Sequence, residues 1–243
     1  MKNLISYVFI FICFFSFSTG ASQEEQKNKI SKYFANQEWK LIKEKDQVKI
    51  FSMEAKGFDV IAFRSVGTLN APIDQVMELL RRVEISTEWM PRLQEKYVIR
   101  DVSDYEAVTY SINDLPWPFT DREMVLNNRL VVHKQTNNMV VEIFSVEDEK
   151  AKRREKSIRA QVYLGQTWLK AISDKQTEVE VVILIDPKGK IPKWLVNLLQ
   201  KNMPYKLLKG IERMASKSSF PVRDVYKKII KDLYPAIYPK IIK

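Results

Sequence analysis

Residues 177–199 read TEVEVVILIDPKGKIPKWLVNLL. Val179, Val181, Ile183 and Ile185 alternate with other residues, which predicts a strand with one apolar face. Asp186-Pro187-Lys188-Gly189 ends it, because proline has no amide hydrogen for the ladder and glycine suits a turn. Pro192 then opens a long helix, predicted to run to about Lys217. Trp194, Leu195, Leu198 and Leu199, then Met203, Leu207, Ile211 and Met214, form its apolar side, with Pro204 inside the pattern. A strand that feeds one long amphipathic helix places that helix back over the sheet it leaves.

Working outward, apolar runs at 97–102, 106–112, 123–133, 139–147, 158–172 and 177–186 predict six strands. Asn137-Asn138, the charged stretch 147–157 and Ser173-Asp174-Lys175 supply turns that suit antiparallel hairpins. Upstream, residues 24–45 are expected to be helical. Val48–Met53 and Val60–Leu69 read as strands. Asn70-Ala71-Pro72-Ile73-Asp74 starts a helix whose Ile73, Val76, Met77, Leu80 and Val83 share one side. A short helix is expected near Trp89-Met90. The order predicts an α+β fold, with helices on one side of a curved antiparallel sheet and an interior between sheet and last helix.

Composition narrows the function. The 243 residues carry 40 Lys+Arg and 30 Asp+Glu, with one Cys and one His. A Cys/His zinc cage and an intrachain disulfide are therefore excluded. Residues 1–21 have a basic start at Lys2, an apolar run from Leu4 to Phe15 and small residues up to Ala21, the pattern of a cleaved export signal. Their loss removes Cys13 and leaves a net charge of +9. The bases are mixed with acids along the chain, unlike the concentrated patch of a nucleic-acid binder. A surface facing anionic lipid headgroups fits better.

Strand parity nominates the interior. In 124–132 the even residues Met124, Leu126, Asn128, Leu130 and Val132 are expected inside, and His133 outside. In 158–172 the even set, including Gln166 and Trp168, is expected inside, and in 179–185 the odd set. Asn128 is the polar exception and should pair with core groups or a ligand, since a buried unpaired amide costs about 1–3 kcal/mol. The charged run 147–159 is expected to be a solvated hairpin tip. The tail beyond 218 has Val225, Ile229, Ile230 and Leu233 at helical spacing and is expected to pack on the domain.

Four segments in order resemble the StAR-related lipid-transfer (START) domain family, of the kind met in exported bacterial members. They are Glu38-Trp39 leading into Val48-Lys-Ile-Phe51; Leu115-Pro-Trp-Pro-Phe-Thr-Asp-Arg-Glu-Met-Val125; Ile158-Arg-Ala with Gly165-Gln-Thr-Trp168; and Asp186-Pro-Lys-Gly-Lys-Ile-Pro-Lys-Trp-Leu-Val-Asn197. The likeness spans about residues 25–217. It implies a helix-grip fold, a curved antiparallel sheet around the C-terminal helix, enclosing a hydrophobic tunnel for one lipid. The family's Arg-Asp step is Arg122-Glu123 here. Where members place a basic residue in the cavity this chain has Asn128, and near the position of its acidic partner it has Thr109. The resemblance therefore implies a cavity without that buried ion pair. Arg122 is expected either to fix its turn through a salt bridge or to reach the ligand.

The organisation expected is a signal peptide at 1–21, a START-like lipid-binding domain at 22–218 and a basic amphipathic extension at 219–243. The function expected is binding of a lipid or sterol-like apolar molecule outside the cytoplasm, with its transfer between membranes left open. A monomer without enzymatic activity, cofactor or metal is expected, meeting membranes transiently and nucleic acid not at all. Expected lining residues are Trp89, Tyr110, Arg122, Leu126, Asn128, Leu130, Trp168, Trp194, Leu198 and Met203. Two alternatives remain open: a cyclase-like enzyme of the wider helix-grip superfamily, and an interaction module whose cavity is filled by its own side chains.

Overall fold

The computed structural model describes residues 38–53 and 61–241. The expected export signal and most of the expected N-terminal helix lie outside them. Ten strands make one sheet: β1 Lys40–Lys45, β2 Val48–Ser52, β3 Ile61–Leu69, β4 Leu93–Ser103, β5 Glu106–Asn113, β6 Asp121–His133, β7 Asn138–Ser145, β8 Ser157–Arg159, β9 Gln161–Ala171 and β10 Thr177–Asp186. Their spatial order is β1-β2-β3-β10-β9-β7-β6-β5-β4, with β8 alongside β6. All neighbours are antiparallel except β8, which runs parallel to β6. The helices are α1 Ile73–Arg81, α2 Lys193–Ala215, α3 Asp224–Leu233 and α4 Tyr238–Ile241, with a 3-10 turn at Val83–Glu88. This is the α+β plan of a curved sheet around a C-terminal helix. Among the described residues no helix is long and apolar enough to cross a membrane.

Residues 40–45, expected as helix, form strand β1. Asp46 and Gln47 both adopt positive φ, 49° and 62°, and turn the chain so that Lys45 pairs with Val48. A two-residue turn of that hand matches the twist of a hairpin, and the ladder it starts overrides local helical character.

The core lies between the sheet and α1, α2 and α3. Ile50, Leu69, Ile73, Val76, Val179, Val181, Leu208 and Ile211 are buried in one cluster. The odd set of β10 faces it, as its alternation predicts. In β9 the prediction holds only at the start. Val162 pairs with Ile185, and Leu164 pairs with Leu184, so Tyr163 is an extra residue in the ladder. One inserted residue exchanges the faces of everything beyond it. Leu169 and Ala171 therefore join the core, and Trp168 goes to the other face, where it stacks on His133 at 5.2 Å.

The tail is part of this core. Tyr226, Ile229, Ile230 and Leu233 of α3 are buried in the same cluster. Full burial of such a side chain stabilises by roughly 1.5–3 kcal/mol. Glu78 of α1, with no exposed surface, accepts a bond from the Arg223 amide at 2.7 Å and pairs with the Arg223 guanidinium. The carboxylate fixes where the extension begins.

Helix α2 packs chiefly on β3, β2 and α1. It comes close to the Trp89 loop at Gly210, where a Cβ would stand 2.2 Å from the carbonyl oxygen of Trp89. Neither group is a flexible side-chain end, so the backbones would have to part. Gly210→Ala should therefore destabilise by about 1–3 kcal/mol or more, read from urea unfolding; unchanged stability would contradict this seat.

Candidate functional site

Because α2 leans toward β2 and β3, space remains over the other half of the sheet. A cavity of about 160 Å³ lies there. Its floor is built by alternation on five strands: Ala107 and Thr109 of β5, Asn128 and Leu130 of β6, Val141 and Ile143 of β7, Thr167 and Leu169 of β9, and Val181 and Ile183 of β10. Met77 and Leu80 of α1, Leu207 and Ile211 of α2 and Tyr226 of α3 cover it, and Trp89 and Met90 enter from the loop after the 3-10 turn. Leu, Ile, Val and Met dominate, so the space favours an apolar occupant.

Of the residues expected to line it, Trp89, Asn128 and Leu130 do. Leu126 and Met203 are not among the lining residues. Tyr110, Arg122, Trp168, Trp194 and Leu198 stand elsewhere, each for a local reason. Tyr110 pairs across the ladder with Tyr97 and stacks on it at 5.1 Å, on the outer face. Trp168 is turned out by the Tyr163 bulge. Trp194 and Leu198, one helical turn apart on α2, are exposed, whereas Leu195 between them is buried.

Arg122 fixes its turn as expected, but through backbone carbonyls instead of a salt bridge, and it does not line the cavity. Its Nε donates to the Pro187 carbonyl at 2.6 Å, Nη2 to that of Lys188 at 2.9 Å, and Nη1 to that of Thr120. It ties the turn after β10 to the start of β6. The adjacent Glu123 is fully buried and accepts from the Tyr110 hydroxyl at 2.6 Å and from Arg159 Nε at 3.1 Å. Burial raises this carboxyl, and the bonds from Tyr110 and Arg159 outweigh it, leaving it below its ordinary value. Burial and then the neighbouring Glu123 push the Tyr110 hydroxyl up. The charged run 147–159 thus has a role other than a solvated tip. Ala151 is buried against Tyr110 and Val125, and Arg159 donates to its carbonyl at 3.0 Å.

Within the cavity, Asn128 Nδ2 donates to Thr109 Oγ1 at 3.1 Å and to the carbonyls of Ala107 at 3.2 Å and Leu126 at 3.0 Å. The positions where the family resemblance places a base and an acid are thus joined by a neutral bond. Sequence reasoning missed Lys96. It pairs with Ser111 on the inward side of β4, and bulges in that strand hide its parity. Among the described residues its Nζ reaches only Met90 Sδ, at 3.9 Å. The residue keeps some exposed surface, but burial of the ammonium pushes its pKa down to about 8. No cluster of His, Cys, Asp and Glu that could hold a metal occurs among the described residues.

The lowered pKa has a pH signature. Below pH 8 both folded and unfolded chains hold the proton, and the cost of the buried ammonium is fully present. Between about 8 and 10.5 the unfolded chain keeps the proton that the folded chain sheds, so stability rises with pH. Urea unfolding of the ligand-free chain should show a rise on the order of 1–3 kcal/mol, absent from Lys96→Met. The same rise in both proteins would contradict the burial of this charge.

Comparison with known proteins agrees with the geometry. A family model described as the START domain matches residues 21–216. An uncharacterised protein of Pseudomonas aeruginosa is 28% identical over 181 residues, covering 74% of this chain and 88% of its own. Human STARD10 superposes with a TM-score of 0.67 at 18% identity, over 88% of this chain and 86% of its own. A STAR-related lipid transfer protein fragment from Xanthomonas axonopodis gives 0.61 at 26% identity, over 72% and 97%.

Proposed function

The chain belongs to the START domain family, and we propose that it carries one lipid or other apolar molecule in its cavity, outside the cytoplasm, and exchanges it at a membrane. The observation that carries this reading is the apolar space between α2 and the β5–β9 half of the sheet. At about 25 cal/mol per Å² of apolar surface removed from water, partition alone favours occupancy. The Xanthomonas relative is a STAR-related lipid transfer protein, which suggests the ligand class. The reading assigns no covalent step. The Asn128–Thr109 pair is neutral and hydrogen-bonded, which suits orienting a ligand better than moving a proton. Export rests on the apolar leader pattern of residues 1–21.

A surface feature supports the membrane element. Trp117 is 91% exposed and Trp194 57% exposed, and Phe119 packs at 6.0 Å from the Trp194 ring. Leu198 is exposed on the same side of α2 as Trp194. Lys190, Lys193 and Lys201 are exposed around them. Large aromatics ringed by lysines suit an interface with anionic headgroups. The Arg122 clamp holds the two segments that present them together.

Two experiments test the reading. Leu130→Trp places a large ring in the floor. It should abolish uptake of the apolar fluorescent probe N-phenyl-naphthylamine while far-ultraviolet circular dichroism stays unchanged; normal uptake by the folded variant would overturn the cavity assignment. Trp117→Ala combined with Trp194→Ala should lower co-sedimentation with phosphatidylglycerol vesicles by tenfold or more and leave probe uptake intact. Equal sedimentation would remove this patch from the account.

A further inference from the structure

Three donor nitrogens around the cavity have no oxygen acceptor among the described residues. Lys96 Nζ meets only a thioether sulfur, itself a weak acceptor. Trp89 Nε1 is buried without a hydrogen-bond partner, and so is Arg81 Nε. All three residues line the same space. Native folds pair nearly all their buried polar atoms, and each exception needs a reason. Here the exceptions share one sign: each offers a hydrogen and none accepts one.

The nearby acceptors are committed or distant. Arg81 Nη2 already pairs with Asp101 and donates to the Ser103 carbonyl at 3.4 Å. Glu106 accepts from Asn127 Nδ2 at 2.8 Å. It sits five residues along β5 from Ser111, the partner of Lys96, or roughly 17 Å of strand. Asp104 and Tyr105 face the cavity from that same β4–β5 turn, and Tyr226 from α3. No described carboxylate makes an ion pair with Lys96.

We propose that the cavity takes an apolar ligand with an anionic head group, a carboxylate or phosphate, and that Lys96 pairs with it. Trp89 Nε1, next in sequence to the Met90 that Lys96 meets, is placed to donate to the same group, whereas Arg81 lies toward the β4–β5 turn. A carboxylate accepts at both oxygens and donates nothing, so it can answer both Lys96 and Trp89. A charge-assisted bond of this kind is about twice as strong as a neutral one. A neutral alcohol could accept one such bond but would leave the ammonium uncompensated. The lowered pKa of Lys96 agrees with a charge held ready for a partner that arrives with the ligand. The inference rests on the proposed binding of an apolar molecule and specifies its polar end.

Three probes with one chain length separate the two ideas: dodecanoate, dodecyl phosphate and dodecanol, bound to the delipidated full chain at pH 7 and followed by displacement of N-phenyl-naphthylamine. Either or both anions should bind at least tenfold more tightly than the alcohol, and which one wins identifies the head group. Lys96→Met should lose that preference while still binding dodecanol, which also shows that it folds; Lys96→Arg should keep it. Equal affinity for all three probes in the unaltered chain would overturn the inference and leave the apolar cavity standing. So would a preference that survives in Lys96→Met. Failure of all three probes to bind would overturn the cavity reading and this inference together.

Discussion

The seat of α2 against the loop at Trp89 is the contact on which the rest depends. Only glycine at 210 lets the helix backbone come this close to the Trp89 carbonyl. With that point fixed, the helix lies toward β2 and β3 and cannot also fill the space over β5, β6, β7 and β9. The next residue, Ile211, and the preceding Leu207 then become walls of the cavity. The same loop delivers Trp89 and Met90 to its edge. One close approach therefore sets the position of the helix, the volume left over and the side chains that border it.

The two faces of the sheet treat polar groups oppositely. On the outer face, Glu123 is buried but receives Tyr110, Arg159 and the Arg154 amide, and at the start of β6 Arg122 is spent on three carbonyls. Those groups are satisfied by the chain itself, and they pin the 147–160 segment and the turn that leads into α2. On the inner face, Asn128 is satisfied toward Thr109, while Lys96, Trp89 and Arg81 retain donors without oxygen partners. A closed network rigidifies; an open one waits for a guest. The contrast separates scaffold from site more sharply than hydrophobicity does, since both faces bury large apolar side chains.

The architecture was legible because alternation and breaks are local signals. The odd residues of β10, the Asp186–Gly189 break and the long helix after Pro192 stand where the pattern puts them, as does His133 on the outer face. Most of the misses come from the insertion or turning of single residues. Tyr163 shifts the ladder and sends Trp168 outward, which no parity count across an unbroken run can reveal. Asp46 and Gln47 adopt a turn conformation that their residue types only weakly favour, and so make residues 40–45 a strand. Lys96 lies in a largely polar strand with several bulges, where an inward lysine reads like any surface lysine. Trp194 and Leu198 look buried because they are apolar, but their side of α2 has no sheet beneath it.

The most direct measurement of the central claim is native mass spectrometry of the chain purified without detergent, followed by extraction and identification of what accompanies it. The account predicts one apolar molecule per chain, carrying an acidic head group. A bare protein mass that persists after incubation with total lipid extract would contradict it.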